Sequence, residues 1–110
     1  MESKFFIING ETPKVELGGG VTRQILGYNE DLMMVKVSFL KGAIGAHHTH
    51  LHTQTSFCAS GVFEFSIGEE TKIVREGDAT FIPSGVLHGV ACLQEGVLID
   101  VFNPVREDFL

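Results

Sequence analysis

The sequence has almost no cysteine, only Cys58 and Cys92 in 110 residues. Both sit in otherwise apolar, strand-like text, "TSFCAS" and "HGVACL". That reads as two buried, reduced thiols and excludes a disulfide-stapled scaffold. Basic residues are scarce as well: eight Lys and Arg stand against 14 Asp and Glu, for a formal charge of −6. No Lys/Arg cluster occurs anywhere, which excludes nucleic acid and anionic membrane surfaces as expected partners. The longest apolar run, "FFII" at Phe5–Ile8, falls far short of the roughly 20 residues a bilayer-spanning helix needs. The opening "MESKFF" has none of the three regions of a secretory leader, so the cytoplasm is the expected compartment. Internal repeats, low-complexity tracts and apolar stripes of helical period are also missing.

Glycine is plentiful, with 13 residues, and points to many tight turns. Between those turns the apolar residues alternate at period two. In "VFEFSI", Phe63, Phe65 and Ile67 share one face; in Leu32–Leu40, Lys36 and Ser38 oppose Val35, Val37 and Phe39. Further strands are expected at Lys4–Ile8, Thr22–Tyr28, Ser56–Ala59, Thr71–Arg75, Ala79–Pro83, His88–Leu93 and Val97–Phe102. Breaks are expected at residues 18–20, 29–31, 41–42, 60–61, 68–70, 76–78, 83–85 and 94–96. A short helical turn is expected after Pro104. Many short strands with turn signals between them predict one all-β domain over residues 1–110, a sandwich or barrel. A chain of this length buries roughly two-thirds of its unfolded surface, enough for a core of its own.

Histidine is where the sequence becomes particular. Four of the five histidines fall within six residues, His47 to His52 in "GAIGAHHTHLHTQTSF", and the fifth is His88. On a strand, residues two apart point to the same side, so His48 and His50 can aim two imidazoles at one point. Gln54 follows after an expected bend, and His88 can add a third imidazole from a distant strand. Three neutral nitrogens and one carboxamide oxygen suit a divalent transition ion such as Zn, Ni, Fe or Mn. A solvated surface cluster is the competing reading of the same residues. His47 faces away from His48 on a regular strand, and the bend leaves the direction of His52 open.

Glycine and proline spacing adds a second line of argument. Gly42, His48-x-His50, Gln54 and Gly61 form one pattern; Gly77, Pro83-x-Gly85 and His88 form another, with Cys92 closing it. These motifs, at 42–61 and 77–92, resemble the two signatures of the cupin family. The resemblance implies a jelly-roll barrel, the double-stranded β-helix, with a metal inside its mouth. Gln54 stands where that pattern usually has glutamate, and Cys92 where it usually has asparagine.

Without the carboxylate, an ion at this site keeps nearly its full positive charge, which favours redox-neutral chemistry on an anion. A catalytic base must then come from elsewhere. Asp100 interrupts the apolar run "VLIDVF" and shares a face with Leu98 and Phe102; buried there, it needs a partner or a job. Arg106 follows Pro104 and can fold back over a barrel mouth. The two are expected either to serve a substrate or to pair with each other.

The stretches "DLMMVKVSFLKGAIGAHHTHLHTQ", "SGVFEFSIG" and "LIDVFNPVREDFL" resemble more narrowly the small pectin-degradation cupins of the KdgF type. That resemblance implies metal ligands at His48, His50, Gln54 and His88, and active-site roles for Asp100, Phe102 and Arg106. The implied reaction converts 4,5-unsaturated hexuronates from pectin or alginate into the linear keto sugar, so the expected partner is a small anionic sugar. A non-catalytic sugar-acid-binding module and a metal-dependent dioxygenase are the alternatives. The apolar stretch Phe5–Ile8, read as an unpaired terminal strand, predicts a two-fold homodimer.

Overall fold

Alternation of apolar and polar residues resolves into eight antiparallel strands in a computed structural model that describes residues 1–110. They are β1 (Val15–Gly18), β2 (Val21–Tyr28), β3 (Met33–Phe39), β4 (Ile44–His48), β5 (Thr53–Ile67), β6 (Glu70–Arg75), β7 (Ala79–Ile82) and β8 (His88–Asn103). β5 and β8, of 15 and 16 residues, are the spine and pair with each other from Thr53↔Asn103 to Ile67↔His88. Each carries two neighbours in succession on its other edge. β8 takes β4 along its first half and β3 along its second; β5 takes β7 and then β6. The long strands therefore pass from one half-sheet to the other, the jelly-roll arrangement.

Passing between half-sheets requires a bend, and glycine supplies it. The β5–β8 register shifts between Cys58 and Phe63. At the bend Gly61 adopts φ +87°, and a Cβ there would lie 2.6 Å from Glu95 O and Gly96 Cα. Only two glycines facing each other let the backbones approach so closely. The breaks expected at 60–61 and 94–96 are thus bends inside continuous strands, not turns, and the pairs of short strands expected on either side of them are single elements.

Between the half-sheets lies a core that includes Phe39, Cys58, Phe63, Phe65, Ile82, Cys92 and Leu98, with Phe39 and Phe63 meeting edge to face at 5.3 Å. Both cysteines are free and 1 % exposed, as their apolar surroundings predict. A second cluster of Met33, Val35, Phe102 and Val105 lies nearer the chain's end. There the expected helical turn appears as a 3-10 turn, Glu107–Phe109, with Phe109 edge-on to Phe102 at 5.8 Å.

The strand expected over Lys4–Ile8 does not form. Ahead of β1 the chain makes one isolated bridge, Glu2↔Asn29, and a 3-10 turn, Asn9–Glu11. β1 covers only Val21–Arg23 of β2; beside the far end of that strand the segment makes the bond from Ser3 N–H to Tyr28 O at 2.9 Å but continues into no ladder, and Phe5 and Phe6 remain 86 % and 81 % exposed. No helix is long and apolar enough to cross a membrane.

Candidate metal centre and active site

His48 ends β4 and His88 begins β8, and the two are direct cross-strand partners, their ring centroids 4.5 Å apart. His50 lies beyond the end of β4, so strand parity alone does not aim it. Its ring is brought in by the turn that leads to β5 and lies 5.3 Å from His48 and 4.8 Å from His88. One nitrogen from each of the three imidazoles falls within 4.8 Å of the others. These three histidines can hold a metal ion.

The hydrogen bonds fix which nitrogens are free. Each ring uses Nδ1 on a backbone carbonyl: His48 on Ala46 O at 2.8 Å, His50 on His52 O at 3.0 Å, and His88 on Val86 O at 2.9 Å. With Nδ1 donating, every Nε2 carries a lone pair, the arrangement a metal site needs. His88 Nε2 is buried with no hydrogen-bond partner. His50 Nε2 faces Gln54 Oε1 at 3.0 Å, one acceptor against another. A cation shared between them resolves that contact, so the donor set fits a metal. Desolvation lowers the pKa of both His50 and His88, which keeps their rings neutral and able to ligate.

Gln54 is oriented from behind. Its amide nitrogen donates to Ser56 Oγ at 2.9 Å, and Ser56 Oγ donates to Asp100 Oδ1 at 2.6 Å. Ser56 and Asp100 are direct partners across β5 and β8, as are Gln54 and Phe102. A polar chain therefore runs from the imidazoles through Gln54 and Ser56 to Asp100. Burial raises the Asp100 pKa from 3.8 to about 6, against the lowering influence of the Ser56 hydroxyl and the Arg106 charge.

Six of the seven expected site residues, His48, Gln54, His88, Asp100, Phe102 and Arg106, line one cleft of about 270 Å³. The seventh, His50, borders it through Gln54 and packs edge-on to Phe102 at 5.8 Å. A wider groove of about 560 Å³ beside the N-terminal segment contains no histidine; chemistry, not size, places the site. The expected alternative of an Asp100–Arg106 ion pair is not what forms. Arg106 pairs instead with Asp108, Nε to Oδ1 at 3.1 Å and one terminal nitrogen to Oδ2 at 2.9 Å, and Asp100 is left to Ser56.

The other two histidines stand aside. His47 is exposed and lies over Gly89, where a Cβ would come within 2.8 Å of its Nδ1. His52 packs against Phe102 and reaches Val105 O at 3.2 Å, a buttress for the tail. Three residues of the site carry no motif in the sequence: Arg23 and Phe109, which line the cleft, and Ser56, which joins Gln54 to Asp100 behind it. Ser56 shares the parity of Gln54. Arg23 shares that of Ile25 on β2, a polar residue on an apolar face, which is the same signal that marked Asp100.

The cupin domain family matches residues 35–102. The pectin degradation protein KdgF of Dickeya dadantii is 49 % identical over 107 residues, covering 96 % of this chain and 97 % of that protein. Among solved structures, an RmlC-like cupin from Shewanella frigidimarina superposes with TM-score 0.97 at 42 % identity, covering 99 % of this chain and 98 % of the other. KdgF from a Halomonas species superposes at 0.93 with 34 % identity, covering 98 % and 100 %.

Proposed function

This chain belongs to the cupin family, and from that premise we propose that it converts 4,5-unsaturated hexuronates, released in pectin or alginate breakdown, to the linear keto sugar. The observation that carries this reading is the near-full-length 49 % identity to a pectin degradation protein. The cleft offers the groups such a reaction needs.

The reaction is a redox-neutral isomerisation. An unsaturated uronate is a cyclic enol ether with a hemiacetal carbon. The anomeric hydroxyl loses its proton and becomes an aldehyde as the bond from the anomeric carbon to the ring oxygen breaks. The electron pair passes to the ring oxygen, giving an enolate, and the neighbouring alkene carbon then takes up a proton to leave a ketone. One proton leaves oxygen, one arrives at carbon, and no electrons are gained or lost.

Asp100 is the proton carrier. With a pKa near 6 it accepts the anomeric proton at neutral pH and still returns one readily. Ser56 holds its carboxylate in place and Phe102 forms the adjoining wall. One divalent transition ion, Zn, Ni, Fe or Mn, bound by His48, His50, Gln54 and His88 would supply a Lewis acid to the substrate oxygens. The sugar's carboxylate faces the arginine side of the cleft, where Arg23 and Arg106 both lie. Local positive charge there offsets the repulsion expected from a chain of net charge −6.

The test is the ultraviolet absorbance of the conjugated double bond. Purified protein is given unsaturated uronate from a pectate or alginate lyase digest, with and without a chelator. Metal-dependent loss far above the spontaneous rate is the expected result. No acceleration with metal bound would leave a sugar-acid-binding module, and oxygen consumption would indicate a dioxygenase.

We also propose that the chain forms a two-fold homodimer in the cytoplasm. The exposed Phe5 and Phe6, together with the outer strand β1, whose Val15 and Leu17 are both exposed, support that association.

A further inference from the structure

Two arginines, not one, face the cleft. Arg23 enters from β2 and Arg106 from the tail, and both line it together with His48, Asp100 and Phe109. Their guanidinium carbons lie 4.0 Å and 4.3 Å from the centroid of the same Phe109 ring. They differ in what else they hold. Arg106 is gripped bidentately by Asp108, so its charge is matched within the protein. Arg23 forms no ion pair, and its buried Nε has no hydrogen-bond partner.

A guanidinium left partly buried and unpaired is costly unless something completes it. Its planar fork is shaped to bind a carboxylate through two parallel hydrogen bonds. The cleft it faces already contains the imidazole cluster and the half-buried Asp100. We propose that Arg23, not Arg106, is the seat of the substrate's carboxylate. Phe109 and the Arg106–Asp108 pair keep the Arg23 side chain in position. This rests on the uronate reading of the cleft and specifies which residue confers selectivity for the acid sugar.

Two measurements test it, one independent of turnover. The first compares the Michaelis parameters of wild type, Arg23→Met, Arg23→Lys and Arg106→Met on unsaturated uronate, with metal content and melting temperature checked for each. Arg23→Met should raise KM roughly 10- to 100-fold, the worth of a lost charge-assisted pair, with kcat changed less than about threefold. Arg23→Lys should recover part of that loss, and it serves as the variant of record if the methionine form fails to fold. The second is calorimetric binding of galacturonate, a saturated uronate, against galactose, its neutral counterpart. Wild type should prefer the acid, and the Arg23 variants should lose most of that preference. Unchanged KM and acid preference in the Arg23 variants, or a larger KM rise in Arg106→Met, would overturn the assignment. Arg23-dependent galacturonate binding without turnover in wild type would instead uphold it and overturn the isomerase reading.

Discussion

Asp100 combines a half-buried, poorly solvated carboxyl, a single hydroxyl donor and a pKa near 6. As the acceptor of the first proton it must be ionised, so kcat/KM should rise with pH and level off above about 6, falling tenfold per unit below. Asp100→Asn should cost at least 100-fold in rate, within the usual span for a general base, while metal bound at saturating ion, measured by atomic absorption, is unchanged. Stability should move the other way. The folded pKa lies above the ordinary 3.8, so the folded state holds this proton more tightly than the unfolded one. The stabilisation is complete below 3.8 and lost as pH rises to about 6. Asp100→Asn should therefore melt higher than wild type at pH 8, by at most about 3 kcal/mol, with little difference at pH 3.5. Asp100 was legible in the sequence because one charge interrupts an apolar strand. Ser56 was not, since a serine on a strand is unremarkable until the register places it opposite a carboxylate 44 residues away.

At the scale of elements, local alternation identified most strand text but not strand length. "SG" and "QEG" look like turns, yet the chain continues through both because β5 and β8 pair along their whole length and bend together. That is a tertiary fact with no local signal. β4 was legible only as a place for histidines, because "IGAHH" has little apolar alternation, and His50 proved to lie past its end. The Phe5–Ile8 stretch failed for the opposite reason, apolar text whose contact with β2 stops at the isolated Glu2↔Asn29 bridge. The bend itself is testable. Gly61→Ala puts a Cβ against backbone atoms at 2.6 Å, at a φ of +87°, and should lower the urea-unfolding free energy by about 2 kcal/mol or more. Gly10→Ala, with nothing within 4 Å, should change it by no more than about 0.5 kcal/mol.

For the whole molecule, the charge balance reads consistently from sequence to structure. An acidic chain places an unpaired positive charge at Arg23 beside the neutral imidazole cluster, so ionic strength should affect anion capture more than folding. The exposed phenylalanines give a further expectation. Light scattering on an eluting peak should return twice the chain mass of 12.0 kDa, and Phe5→Ser with Phe6→Ser should return the single mass. A monomeric wild type would remove the dimer proposal and leave the site assignment standing, since that assignment invokes no residue of a second copy.

The polar chain from His50 through Gln54 and Ser56 to Asp100 has a thermodynamic meaning beyond positioning. It makes the imidazole cluster and the carboxylate neighbours in one electrostatic circuit, so the occupancy of one is linked to the protonation of the other. A cation bound in the cluster would favour ionised Asp100, and ionised Asp100 would favour retention of the cation, by the same factor in each direction. Acid would then work as a single antagonist with two effects, loosening the ion and silencing the base together.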